Sequence, residues 1–322
     1  MVEESRECKK FIHLLNVPWT GLGLYNGFRG NRWLRNRIKV FKQFVIPSLQ
    51  AQVSKDFVLW CSWRREERNN IYVMQLMEYL KGIPEFKTVH TFHGVCFWDD
   101  KYADAEARSR LLSSLHGSMG ELFETIGEAE EVYMTIQPSD DCYHKNTVKA
   151  IHEIFKETNL QAVGFRNGYI MDYLTKTVAN YDPTTNPPFY TIRFPRKIFV
   201  DPLAHAQYTS LKVNTEKYPA GTPCPSHEYI GLCLKYEQID SRGFLVGTHG
   251  ENISTIYNHP FRGEDVSAET LENFGLADVP PLQISVSLRK KILRRLPHKV
   301  QRKLRYIFGE RIWQKFYDFI RN

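Results

Sequence analysis

The sequence predicts an α/β protein with a mixed, mainly parallel sheet flanked by helices, and three observations carry that expectation. Strand-like apolar runs alternate with helix-length stretches of three- and four-residue apolar spacing through the first half of the chain. Such alternation is the pattern of βαβ units, whose crossover helices return the chain to the same edge and so make neighbouring strands parallel. A glycine-rich loop follows the first strand-like run, and two adjacent carboxylates, Asp140 and Asp141, stand just past another. In open α/β sheets, ligands sit beyond the carboxyl ends of the strands, which is where both features fall.

Residues 11–15 read as the first strand, and a loop runs from Trp19 through Gly21, Gly23 and Gly27 to Gly30. Leu34, Ile38, Phe41 and Val45 then recur at helical spacing, and Pro47 is expected to stop or kink that helix because it lacks an N–H and its ring crowds the preceding turn. Residues 56–62 form a buried strand candidate, 71–80 a helix, 87–92 a strand, 103–126 a long helix, 132–136 a strand and 146–156 a helix. After Gln161 the pattern shortens to strands at 162–165, 168–174 and 189–200, with a last one at 244–248, which predicts a hairpin-rich second half. The Tyr229 to Lys235 run reads as helical.

The chain has 322 residues, 42% of them hydrophobic, enough for a substantial core. Its start lacks a basic-then-apolar secretion pattern and no run reaches the roughly 18 apolar residues of a membrane span, so the expected location is cytoplasmic. Six cysteines without a Cys-x-x-Cys pair read as reduced thiols rather than a zinc ribbon or disulfide framework. The net charge of +7 is unevenly placed: from Arg289 to the end there are 12 Lys or Arg against Glu310 and Asp318, so the rest of the chain is slightly acidic. Leu288, Ile292, Leu296, Val300 and Leu304 step by four within that stretch, and Pro297 and Gly309 divide it into short amphipathic helices. The expected division is therefore a body over residues 1–262 and a basic helical extension over 263–322.

Adjacent carboxylates at a strand end suit a hard divalent cation, which takes one or two protein oxygens and fills its shell with water and substrate phosphates. Pro138-Ser139-Asp140 before a helix also suits a simple N-cap. His227-Glu228 is no zinc-protease pair, because Gly231 stands where the second histidine belongs. His227 and His249 are each open to a structural or a ligating role.

Residues 31–41, 46–52 and 55–60 resemble the opening of the rhamnosyltransferase-like family of nucleotide-sugar glycosyltransferases, which have a Rossmann-like GT-A fold. Residues 135–148 resemble that family's acidic metal motif, and 246–254 its His-Gly-x-Asn segment; the correspondence runs over about residues 9–260. An Arg and a further Asp that usually precede the acidic pair are replaced here by Ile136, Gln137 and Pro138. The resemblance implies transfer of a sugar, with rhamnose as a candidate, from a nucleotide-diphosphate donor to a glycan or lipid-linked acceptor. It further implies that Asp141 binds Mn2+ or Mg2+, that Asp140 shares the metal or accepts from the ribose, and that His249 completes the metal or diphosphate site.

In such an enzyme Glu228 is the candidate base of an inverting transfer, with Asp201 and Glu251 as weaker substitutes. Arg32, Arg35 and Arg37 are candidates for the donor phosphates, and Trp19 for stacking on the base. Two competing readings are a protein that binds nucleic acid or an anionic surface through its tail, and a metal-dependent hydrolase using Asp140, Asp141, His227 and His249. Because the tail's cations alternate with Leu, Ile, Trp and Phe, residues 286–322 suit an anionic membrane surface at least as well as nucleic acid.

Overall fold

Apolar runs of five or six residues form the strands buried on both faces, as a sheet covered by helices requires. A computed structural model describes residues 10–19, 30–94, 105–249, 252 and 266–284. Most of the glycine-rich loop, Glu251 and the tail from residue 285 lie outside the described residues. β1 (Phe11–Pro18) is buried from His13 to Val17, and pairs in parallel with β2 (Val58–Ser62) on one side and β4 (Glu131–Ile136) on the other. β3 (Lys87–Thr91) extends the parallel set beyond β2.

The first crossover begins with α1 (Asn31–Val40), widens into a π-helical turn (Phe41–Val45) and closes as α2 (Ile46–Gln50). Pro47 therefore does not stop the helix, which continues as α2 to Gln50. The wide turn ahead of it gives the proline ring room and absorbs its missing N–H, a common origin of such turns near functional sites. α3 (Ile71–Lys81) is capped by the Asn70 side chain, which accepts from the Tyr72 amide at 3.0 Å, and packs on α1. α4 (Ala105–Ile126) leads to β4, and α5 (Thr147–Glu157) buries Val148, Ile151 and Phe155 at helical spacing. Removing any one of these from water contributes about 1.5–3 kcal/mol.

The expected mainly parallel sheet is corrected by its second half. Among the described residues the strand order is β3-β2-β1-β4-β8-β6-β9-β5, with β7 on β6, and only four of the eight ladders are parallel. β8 (Tyr190–Pro195) runs antiparallel to β4 and to β6 (Ala162–Asp172), while β6 and β9 (Tyr236–Thr248) are parallel. β5 (Cys142–Tyr143) and β7 (Thr177–Tyr181) add antiparallel edges. The two strands expected at 162–165 and 168–174 are one strand, bulged between Phe165 and Gly168. The run 189–200 ends at Pro195, after which α6 (Arg196–Phe199) and α7 (Pro202–Tyr208) follow.

The expected helix over 229–235 is only α8 (Ile230–Cys233), because β9 begins at Tyr236 and Leu234 is already extended. Leu271, Phe274, Leu276 and Leu282 share a buried cluster with Val40, Phe44, Tyr173 and Leu245. The first described part of the expected extension thus packs into the body. No helix among the described residues is long and apolar enough to cross a membrane.

Candidate active site

β4 is buried at all six positions and stops where Pro138 can no longer donate to the sheet. Gln137 then closes the loop on itself: its amide donates to Asn16 O at 2.8 Å, and its Nε2 donates to Asp141 O at 2.8 Å and Pro138 O at 2.9 Å. The chain returns to the sheet as β5, whose Cys142 pairs with Leu245 of β9. The next helix starts only at Thr147 with Asn146 before it, so neither Ser139 nor Asp140 is a helix cap.

Asp140 and Asp141, adjacent in sequence, meet different partners. Asp140 Oδ2 pairs with the Arg37 guanidinium, lies 3.1 Å from His249 Nε2 and accepts from Asn252 Nδ2 at 3.4 Å. Arg37 also reaches His249 Nε2 at 3.4 Å, and its side chain is only 3% exposed. Burial pushes the Asp140 carboxyl up, but the Arg37 charge and the His249 contact overcome it and hold it at about 2. Asp141 is buried with Oδ1 accepting from the Gly247 amide at 2.9 Å, and no ion pair of its own forms among the described residues. Burial and the neighbouring Asp140 charge raise it well above the usual carboxylate range.

The corner is rigidly backed. Tyr173 Oη donates to Asp140 O at 2.8 Å while its ring lies on Phe44, in the π-helical turn, with centroids 3.7 Å apart. A Cβ at Gly247 would stand 2.3 Å from both Asp140 O and the Tyr173 ring, so only glycine permits this approach. Asn252 Nδ2 donates to Gly247 O at 2.6 Å, and its Oδ1 accepts from the His249 amide at 2.8 Å, closing the end of β9 over the acids.

Of the three arginines expected at the donor phosphates, Arg37 faces this corner. Arg35, about 200° away around the helix, is exposed, as is Arg32. Trp19 finds no free ring face for a nucleobase: it is 1% exposed, stacked on Trp63 at 4.7 Å and met edge-on by Phe41 at 4.7 Å. Asp201 is a helix cap, accepting from Ala204 N at 2.8 Å. His227, whose Nδ1 lies 2.5 Å from Asn186 O, forms no part of the acidic corner.

Glu228 is exposed, in the 3-10 turn His227–Tyr229, with its amide 3.4 Å from Ser226 Oγ and its carbonyl accepting from Asn186 Nδ2 at 3.2 Å. The register places it in the fold. Tyr236 pairs with Ala162, Ala162 with Ile192 and Ile192 with Met134, so the chain entering β9 lies level with the carboxyl-terminal half of β4. Glu228 is tied through Asn186 to the segment entering β8, whose Thr191 pairs with Thr135 near the end of β4, whereas the acids meet β9 at its carboxyl end, by Gly247.

Among the described residues no three His, Cys, Asp or Glu side chains converge as a metal-binding cluster. Asp140 and His249, two of the expected metal set, come together around Arg37, while Asp141 stands apart on the Gly247 amide. Sequence reasoning assigned no individual role to Gly247, Tyr173 or Asn252, although 246–254 was singled out as a segment. The spacing His249-x-x-Asn252 was a visible signal for the last of these, whereas nothing local marks Tyr173.

No protein-family model matches this sequence, and no curated protein matches it. Among solved structures, the chain is similar to S. aureus TarS 1–349, with a TM-score of 0.37 at 12% identity over 77% of this chain and 64% of that one. TarS 1–349 in complex with UDP-GlcNAc gives 0.38 at 13% identity, over 82% and 64%. The inositol-1-phosphate CTP transferase from T. maritima gives 0.34 at 11% identity, over 83% of this chain and 96% of that one. The chain thus spans 64% of the length of these TarS structures. Likeness of this degree assigns no residue a role.

Proposed function

We propose that this chain transfers a glycosyl group from a nucleoside-diphosphate sugar to a hydroxyl of a glycan or lipid-linked acceptor. The observation that supports the reading is the acidic corner past the carboxyl end of β4, with its two unequal carboxylates. Asp140 is already neutralised by Arg37, so its work is to fix the corner. Asp141 lacks such a partner among the described residues and suits Mg2+ or Mn2+, which needs only one or two protein carboxylates when substrate phosphates complete its shell. When bound, that ion would offset charge on the departing diphosphate. His249 and Asn252 hold Asp140 and the end of β9 in place.

Glu228 is the proposed base. Its carboxylate would take the acceptor hydroxyl proton as the oxygen forms its bond to the anomeric carbon and the carbon–phosphate-oxygen bond breaks, with inversion. The sugar is left to experiment: dTDP-rhamnose enters the panel from the family resemblance, and UDP-GlcNAc because TarS is known with it bound.

Calorimetry with UDP, UDP-GlcNAc and dTDP-rhamnose, with and without Mn2+, tests the reading. Binding that requires the ion and weakens at least about tenfold in Asp141→Asn is expected. Glu228→Gln should keep donor binding and lower turnover by about a hundredfold or more. A wild-type protein that binds no nucleotide under either condition ends the proposal.

A further inference from the structure

The outward face of α1 has no role in the acidic corner, yet it carries a run of cations. Arg32, Arg35, Lys39 and Lys42 follow one another at three- and four-residue steps, a single stripe on a helix, and all but the half-buried Lys42 are exposed. Between this stripe and α3 lies an open pocket of about 400 Å3 lined by Arg35, Lys39, Lys42, Gln43, Tyr72 and Gln75, together with Ile38. None of the lining residues is acidic. Lys42 is held over the Tyr79 ring with its Nζ 3.9 Å from the centroid.

Beside the cations stand apolar side chains with no covering element among the described residues. Ile71 is 55% exposed, Met74 51% and Tyr79 40%, all on α3, where the exposed Glu78 on the same side is paired with Lys81. Single exposed apolar residues are ordinary, but three on one helix next to a basic stripe combine the two properties that an interfacial surface needs.

The segment at 280–283 adds an independent argument. Lys39 Nζ donates to Gln283 O at 2.5 Å and Gln43 Nε2 to Pro280 O at 2.7 Å, so the last described segment runs along this same stripe. The sequence from Arg289 onward holds 12 cations against 2 acids. A segment of that charge is repelled by Arg35 and Lys42 and is a poor occupant for the groove. An anionic surface satisfies both.

We infer that the α1–α3 face docks on an anionic lipid bilayer, with Arg35, Lys39 and Lys42 against lipid phosphates and Ile71 and Met74 entering the interface. The docking is independent of which donor the acidic corner takes. Each cation near such a surface contributes attraction that salt screens, and the apolar pair distinguishes a bilayer from a soluble polyanion.

The test uses the full chain and vesicles of phosphatidylcholine with or without phosphatidylglycerol, read by co-sedimentation. Wild type is expected on the anionic vesicles only, and to leave them as salt rises. Arg35→Glu with Lys42→Glu should lower partition on the order of tenfold or more. Ile71→Ser with Met74→Ser should lower it several-fold without changing binding to inorganic polyphosphate, and far-ultraviolet dichroism checks that both variants remain folded. Wild-type partition of the charge variant overturns the proposal, as does equal binding to neutral vesicles. Unchanged partition of the serine variant also overturns it, since the face would then serve a soluble polyanion or nucleic acid.

Discussion

Two buried polar clusters in this molecule solve the same problem in opposite ways. Around His13 the groups are neutral: its Nδ1 lies 2.9 Å from His152 Nε2, its Nε2 lies 2.6 Å from Thr135 Oγ1, and Thr135 Oγ1 lies 2.5 Å from Thr191 Oγ1. One run of protons, from His152 through His13 and Thr135 to Thr191, satisfies every link without a charge. The corner at Asp140 keeps its charges instead, with one guanidinium shared by Asp140 and a histidine. A neutral network settles a fold, whereas a buried carboxylate such as Asp141, left with an amide and no cation, is costly unless something arrives to pair with it.

The sharpest way to break this contrast is to remove Arg37. Arg37→Met leaves Asp140 buried beside a histidine with no guanidinium, and truncating one side of a buried pair typically costs about 3–5 kcal/mol. Urea unfolding should show that loss, and Arg37→Met with Asp140→Asn should recover much of it, because the second change removes the stranded charge. Equal stability of Arg37→Met and wild type would mean that the corner is not held by this pair.

The next effect is on pH dependence, and the two acids act with opposite sign. Asp140 is held at about 2 against an ordinary 3.8, so it adds about 2 kcal/mol that is present above pH 4 and lost as pH falls toward 2. Asp141 is raised, so its contribution is full below the ordinary carboxylate range and is lost as pH rises through its folded value. Stability of the metal-free protein should therefore decline above about pH 4 through Asp141, and Asp141→Asn should remove that component. Chemical denaturation across pH 2–8 reads both limbs; an unchanged profile in Asp141→Asn would remove the charge contrast between the neighbours.

Much of this was legible in the sequence where the causes are local. The β1–β4 alternation, α5 and the position of Asp140 and Asp141 past a strand follow from periodicity and from Pro138, most within a residue or two of their expected places, although β1 runs three residues longer, to Pro18, and the first helix continues past Pro47 to Gln50. The antiparallel half was not legible as such, because the pairing of β8 with β4 is a long-range choice that no local pattern records. Arg37 shows the same limit within the site. Its neighbours Arg32 and Arg35 look equivalent as letters, and only helix phase, with Asp140 and His249 converging from far along the chain, singles it out. Trp19 was misplaced for the converse reason, since an aromatic beside a glycine-rich loop reads as exposed until Trp63 is stacked against it.

The smallest effect tests the neutral cluster itself. Burial holds His13 well below its ordinary value, with His152 contributing, and burial lowers His152 to about 4. For a histidine kept neutral in the fold, stabilisation is full above the ordinary value of 6.5 and is lost as pH falls through the folded value. His13→Gln keeps a hydrogen-bonding side chain but shortens the run from His152 to Thr135, at a cost of about 1 kcal/mol near neutral pH. It should also weaken the fall in stability between pH 6.5 and 4 while leaving nucleotide binding at the corner unchanged. If His13→Gln instead weakens nucleotide binding as much as Asp141→Asn does, the two clusters are not separable, and the His13 run is part of the site.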